Sequence, residues 1–395
     1  MQLFNTESQR KETIAPRDGR IGMYVCGVTP YDVTHLGHAF NYVFYDTLRK
    51  YLRYQGLSVD YVQNLTDVDD DIIRKAAELH EPVEEVVEVN VADFHHDLRA
   101  LHIDPPTHYP RATEYISEIQ RITQVFLEKG HAYVKGGDVF FQAGSFPEFG
   151  RLSRRSGDAL KSETEPERLR SRMNAPNDFT LWQESLPGEP HWTSPWGEGR
   201  PGWHIECAAM SSELLGVPVD IHGGGSDLIF PHHESEIAQV ESFSGQRPFV
   251  RYWVHVGMLR IAGEKMSKSL KNLVVVSDLL PRFEANVIRT YLLSHHYRSE
   301  PEYREQDLRA CAATVELLRR AVMVGAGNGA ALDYRPYERR FLEALDDDMD
   351  TPRALGALND LAEAVLGHAQ RGQDAGLASL ALRSLANDIL GLRFE

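Results

Sequence analysis

The spacing of apolar positions near the start of the chain changes period twice. Gly22-Met23-Tyr24-Val25-Cys26 is a short β-prone run that ends in the turn-forming stretch Gly27-Val28-Thr29-Pro30. From His35 the period lengthens to that of a helix: Phe44, Leu48, Tyr51 and Leu52 fall on one face, and Gly56 supplies a C-terminal stop. Val59 to Asn64 then reads as a second strand. A strand, a helix and a strand in this order form a βαβ unit, which predicts an α/β fold with a parallel sheet covered by helices on both faces.

Between about Asp104 and Trp196 that rhythm stops. Prolines are frequent, Arg151 to Arg172 is irregular and charged, and Trp182, Trp192 and Trp196 cluster; the stretch reads as an inserted subdomain. Core-like sequence resumes at Gly202, and Val254 to Leu259 reads as another buried strand. Beyond about Ser277 the pattern is helical, with Leu355, Leu358, Leu361 and Val365 in a stripe behind a Thr351-Pro352 helix start. The expected division is 1–103 and 199–276 for the two halves of a catalytic domain, 104–198 for the insertion, and 277–395 for a helical bundle. The Gly/Ala-rich Val324 to Ala331 reads as a linker between helices, and no internal repeat is present.

Composition adds exclusions. Hydrophobic residues make up 42% and charged residues 25% of 395 positions, an ordinary globular balance. No apolar run is long enough for a membrane span, and Met1 to Arg20 lacks an apolar core of the secretory kind, so a soluble, cytoplasmic protein is expected. The net charge of −16 argues against a general nucleic-acid coat, although one local basic track remains compatible with it. Arg154, Arg155, Arg168, Arg170 and Arg172 in the insertion could form such a track, but Asp158, Glu163, Glu165 and Glu167 interrupt it, and a solvated face is the simpler reading. Cys26, Cys207 and Cys311 are too few and too far apart for a disulfide framework. Cys311, at helical spacing from Val315 and Leu318, is expected in the core.

Three constellations carry chemistry. His35-Leu36-Gly37-His38 opens a helix just after a strand, where free backbone N–H groups and the positive end of the dipole favour a phosphate. Gly37 would let a nucleotide approach the backbone closely; taken alone, the four residues also suit a structural helix start. Lys265-Met266-Ser267-Lys268-Ser269 puts two ammonium groups on a short loop, where they can follow charge onto a pyrophosphate leaving group. The third set is Cys26, Cys207 and Pro231-His232-His233-Glu234-Ser235-Glu236. His232 and Glu236 project from one helical face, and with two thiolates they make four soft and borderline donors suited to zinc. The competing reading leaves both cysteines as small buried hydrophobes.

The histidine and lysine motifs together resemble the signature pair of class I aminoacyl-tRNA synthetases. Met23-Tyr24-Val25-Cys26-Gly27, Tyr61 to Asp70, Gly202-Trp203-His204-Ile205-Glu206-Cys207 and Asp220 to Glu234 are similar to cysteinyl-tRNA synthetase, from about Gly22 to the C-terminus. The resemblance implies a Rossmann-like class I catalytic domain with an insertion and a helical C-terminal domain. It implies zinc held by Cys26, Cys207, His232 and Glu236, the amino acid bound near Gly27, Thr66 and Trp203, and Mg-ATP met by His35, Gly37, His38 and Lys268. His35, His38, Lys265 and Lys268 would assist the chemistry. For Asp227 and His222 an adenylate-site role and simple loop hydrogen bonding stand side by side. The implied partners are ATP, L-cysteine and tRNA(Cys), with a monomer expected.

Two features depart from that pattern. The helical bundle stops at Glu395, where such synthetases usually add a small anticodon-reading domain. Thr29 to His38 is closer in wording to a sister family, the ligase that joins cysteine to glucosaminyl-inositol in mycothiol synthesis. Glu236, His222 and Glu234 to Gln239 follow the synthetase, whereas Gln183 after Trp182 suits neither family.

Overall fold

A computed structural model describes residues 1–161, 164–266 and 272–394. A short hairpin, β1 (Gln2–Asn5) and β2 (Arg10–Thr13), precedes the expected unit: β3 (Arg20–Val28), α1 (Leu36–Tyr54) and β4 (Ser58–Leu65). α2 (Asp70–Leu79) and α3 (Val83–Ala100) follow, then α4 (Ile116–Lys129). Five strands come next: β5 (Ala132–Lys135), β6 (Asp138–Phe141), β7 (Phe179–Glu184), β8 (Trp192–Ser194) and β9 (Gly197–Pro201), with a one-turn α5 (Glu167–Arg170) between β6 and β7. The chain then returns through α6 (Trp203–Leu215), β10 (Val219–Gly225), α7 (Glu234–Ser244) and β11 (Val250–Val256).

β11, β10, β3 and β4 lie side by side in that order, and every pairing between them is parallel. Because side chains alternate along a strand, β3 serves two cores. Ile21, Met23 and Val25 pack with Phe40, Phe44 and Leu48 of α1, while Tyr24 and Cys26 join Ile205, Cys207 and Ala208 of α6. That alternation fixes the face on which Cys26 emerges.

The expected insertion carries α4 and an antiparallel sheet in the order β5, β6, β7, β9, β8. Its arginines are largely committed to carboxylates of the chain. Arg168 and Arg172 reach the fully buried Asp138 at 3.5 and 2.6 Å, and Arg151 pairs with Glu7 at 2.8 Å and with buried Glu241 at 2.5 Å. Arg155 lies over the Phe230 ring at 4.3 Å, while Arg154 and Arg170 are exposed.

After β11, β12 (Arg260–Ile261) and β13 (Glu264–Lys265) form a tight hairpin, and the elements among the described residues beyond it are helices. α8 (Val276–Leu279), α9 (Ala285–Leu293), α10 (Glu305–Val322), α11 (Arg335–Asp346), α12 (Thr351–Gln370) and α13 (Gly376–Ser384) bury the predicted stripe Leu355, Leu358, Leu361 and Val365. Cys311 departs from the expectation. It is only partly buried, and its thiol donates to the Asp307 carbonyl at 3.3 Å along the rim of α10.

The bundle is joined to the sheet domain by a buried cation. Arg289 of α9 is fully buried; it pairs with Asp46 of α1 and donates to the carbonyls of Leu390 at 2.5 Å and Leu101 at 3.1 Å. Burial alone would push Asp46 up, but Arg289 and Lys50 hold its carboxyl below the ordinary range. Among the described residues, no helix is long and apolar enough to cross a membrane.

Candidate active site and metal cluster

The C-terminal ends of parallel strands are where open α/β sheets bind ligands, and this sheet places its unusual residues there. Cys26 and Gly27 come from the end of β3, and Thr66 follows β4. His222 to Gly225 end β10, and His255 lies near the end of β11. Gly27 and Thr66 are linked through buried Asn64, whose Oδ1 accepts from the Gly27 N–H at 2.8 Å and whose Nδ2 donates to the Thr66 hydroxyl at 3.1 Å. Glycine is required at 27 by close approach, since a Cβ there would lie 1.6 Å from the Asn64 carbonyl oxygen.

A cleft of about 960 Å³ opens at this end of the sheet, with Cys26, Gly27, His35, Gly37, His38 and Asp227 on its walls. His35 is the N-cap of α1: its Nδ1 accepts from the His38 N–H at 3.3 Å, and the two rings stack 3.6 Å apart. The helix start therefore faces the cleft. Tyr31 and Asp32, from the Thr29 to His38 stretch, line it as well, as do Asn41 and Met258, which the sequence did not single out. The Lys265 backbone pairs with Arg260 in the β12–β13 hairpin, and Met266 beside it lines the cleft. Lys268 lies outside the described residues. Thr66 and Trp203 do not line this cleft; Thr66 is buried behind Gly27, and the Trp203 ring stacks on His232 at 4.3 Å.

Below the cleft, Cys26, Cys207, His232 and Glu236 come together with one ligand atom of each within 4.8 Å of the others. All four are buried. The two sulfurs are 3.9 Å apart, and His232 Nε2 is 3.1 Å from Glu236 Oε1. His222 and His233 crowd the other side: His233 Nε2 lies 3.2 Å from Cys26 Sγ, and His222 Nε2 lies 3.3 Å from Glu236 Oε2. Cys26, His222, His233 and Glu236 thus form a second, overlapping donor group.

Burial, then the Cys207 and Glu236 neighbours, pushes the Cys26 thiol well above its ordinary range, and burial with Cys207 does the same to Glu236. Burial also holds His204, His222 and His233 well below the usual imidazole range, hence neutral. Cys207 moves the other way: burial would push its thiol up, but the hydrogen bond with Cys26 and the His232 neighbour hold it well below its ordinary range. A buried set of sulfur, imidazole and carboxyl donors, with a hydrogen-bond-deficient Oε2 on Glu236, suits a divalent cation, which replaces the protons that burial forces onto Cys26 and Glu236. Soft sulfur donors with imidazole favour zinc-like ions over magnesium or calcium.

Outer contacts aim these groups. His204 Nδ1 lies 2.9 Å from His232 Nδ1, and His233 Nδ1 lies 2.7 Å from His255 Nε2, whose Nδ1 meets the Thr6 hydroxyl at 2.7 Å. His204 and His233 stand within motifs read in the sequence but carried no role of their own there, and His255 gave no sequence signal.

The family described as "tRNA synthetases class I (C) catalytic domain" matches residues 13–313, and the "DALR domain" matches residues 340–395. The chain is 47% identical over 398 residues to a cysteine--tRNA ligase of Serratia proteamaculans (strain 568), covering 99% of this chain and 85% of the relative. It is 45% identical over 396 residues to a cysteine--tRNA ligase of Proteus mirabilis (strain HI4320), with the same coverage. Among solved structures it is similar to Mycobacterium tuberculosis methionyl-tRNA synthetase bound by methionyl-adenylate, with TM-score 0.69, 14% identity and coverage of 94% of this chain and 92% of that one. A ternary complex of Agrobacterium radiobacter K84 agnB2 LeuRS-tRNA-LeuAMS gives TM-score 0.66 at 10% identity, covering 94% and 84%. At those identities the two structures speak to the fold alone.

Proposed function

We propose, for a chain that belongs to the cysteine--tRNA ligase family of class I tRNA synthetases, that it activates L-cysteine with ATP and passes the cysteinyl group to tRNA(Cys). The observation that carries the reading is the position of Cys26, which belongs both to the buried donor cluster and to the wall of the cleft that holds His35 and His38. A thiol-selecting group and a triphosphate-holding group then meet at one strand end. In this reading 1–103 and 199–276 form the catalytic domain, 104–198 its insertion and 277–395 the helical part.

Cys26, Cys207, His232 and Glu236 would hold zinc, which when bound offers a thiolate-preferring position that separates cysteine from serine by bond chemistry rather than pocket shape. Gly27, Thr66 and Trp203 bound the amino acid and orient its carboxylate toward the cleft. The start of α1, with His35, Gly37 and His38, holds the phosphates of Mg-ATP, and Asp227 binds the nucleotide from the other wall. A carboxylate oxygen attacks the α-phosphorus, the bond to the bridging oxygen of pyrophosphate breaks, and Lys265 and Lys268 neutralise the leaving group. A terminal ribose hydroxyl of the tRNA then attacks the cysteinyl carbonyl, and AMP departs.

Cysteine-dependent ATP–pyrophosphate exchange by zinc-loaded protein tests the first step, and no exchange would end the reading. Charging of tRNA(Cys), run beside coupling to glucosaminyl-inositol, tests the second. Amide formation with the sugar amine and no tRNA charging would replace the acceptor while keeping the activation chemistry.

A further inference from the structure

His204 stands outside both metal-ligating groups, yet it makes a specific contact with one of their members. Its Nδ1 is 2.9 Å from His232 Nδ1, both residues are buried, and the chain separation is 28 residues. Two ring nitrogens at that distance share one proton. When His232 presents the Nε2 lone pair toward Cys207 and Glu236, its Nδ1 carries hydrogen and must donate; His204 Nδ1 is the acceptor in place.

The residues around His232 restrict the ring further. Trp203 stacks on one face of it at 4.3 Å with 23° between planes, and His204 packs edge-on against Phe179 of β7 at 5.5 Å. His204 belongs to the first turn of α6, three residues before Cys207. One helical turn therefore supplies a sulfur donor, a ring stacked on the imidazole donor and the hydrogen-bond partner of that imidazole.

We infer that His204 is a positioning residue for the metal cluster: it fixes the tautomer and rotation of His232 so that Nε2 faces the ion, and thereby sets how tightly zinc is held. The inference rests on the zinc-site reading above. A hydrogen-bonded partner of this kind raises ligand basicity and removes the freedom of the ring to turn, and its loss weakens metal affinity by roughly 10–100-fold.

The test compares His204→Phe, which keeps an aromatic ring against Phe179 and Trp203 but has no acceptor, with His204→Gln, which offers a carbonyl oxygen. Zinc affinity is measured by competition with a chromogenic chelator, and thermal unfolding of the metal-stripped proteins is measured alongside. The expected result is a 10–100-fold weaker zinc affinity for His204→Phe, with substantial recovery in His204→Gln and similar metal-free unfolding temperatures. Zinc held by His204→Phe as tightly as by the unaltered protein overturns the inference. Should His204→Phe not fold, His204→Ala replaces it, and equal affinity in His204→Ala and His204→Gln overturns it equally. Unaltered protein that binds no zinc would instead sink the zinc-site reading itself, so the two failures are told apart.

Discussion

Adding one methyl group at Gly27 should disable activation without unfolding the protein. The new Cβ would lie 1.6 Å from the Asn64 carbonyl oxygen and 2.7 Å from its carbon, both backbone atoms that cannot rotate away. To reach even a 3.0 Å contact, β3 and β4 must part by about 1.4 Å where they present Cys26 and Thr66. The movement also pulls on the Asn64 bridge, at 2.8 Å to the Gly27 N–H and 3.1 Å to the Thr66 hydroxyl. Misplacement of reacting groups by an ångström costs on the order of 100-fold in rate, or about 2.7 kcal/mol of barrier. Gly27→Ala should therefore lose about two orders of magnitude in kcat/KM for cysteine-dependent pyrophosphate exchange. Gly130→Ala is the control: its φ of +75° strains any side chain, but nothing lies within 4 Å, so it should cost about 1 kcal/mol of stability and leave exchange intact. Exchange by Gly27→Ala within a few-fold of the unaltered protein would refute the close-approach argument.

Other changes should separate the parts of the molecule. Cys207→Ser should remove most bound zinc, read by metal analysis, and lower exchange steeply; full zinc occupancy would show that Cys207 is not a ligand. Arg289→Met leaves Asp46 with Lys50 alone and several carbonyls without a donor, and should lower stability by about 3–5 kcal/mol in urea unfolding; an unchanged midpoint would remove the clamp as a source of stability. Burial pushes the Asp69 carboxyl up to about 7, even though it caps α2 by accepting the Asp71 N–H at 2.8 Å. A carboxyl raised in this way contributes stability that is complete below its ordinary 3.8 and is lost as pH rises through about 7. Asp69→Asn should flatten the stability profile across that window, and an unaltered slope would contradict the burial effect.

What the sequence revealed and what it hid divide along physical lines. α1, β3 and β4 were legible because Phe44, Leu48, Tyr51 and Leu52 repeat at the helical period and the strands carry β-branched and aromatic residues, Tyr24 and Val25 in β3 and Val59, Tyr61 and Val62 in β4. The family motifs led to the tetrad of Cys26, Cys207, His232 and Glu236, although Cys26 and Cys207 stand 181 residues apart. The contacts that His222 and His233 make with that tetrad were hidden. His233 aims at Cys26 because the turn before α7 is irregular, with Phe230 at non-helical angles, and no period reports such a turn. The insertion sheet was hidden as well, since β8 and β9 have only three and five residues between turns. Cys311 was misjudged because helical spacing from Val315 and Leu318 cannot tell the centre of a buried stripe from its rim.

In the proposed reading, the Arg289 clamp ties the helical bundle to the helix whose start would hold the nucleotide. The same α1 that offers its first turn to the cleft is pinned at Asp46 to a guanidinium that also grips the carbonyl of Leu390, near the far end of the polypeptide. Cutting away the last turns of the chain would expose a buried charge and loosen the rod on which the histidines ride. A force on the bundle would then bear on α1 through the Asp46–Arg289 pair.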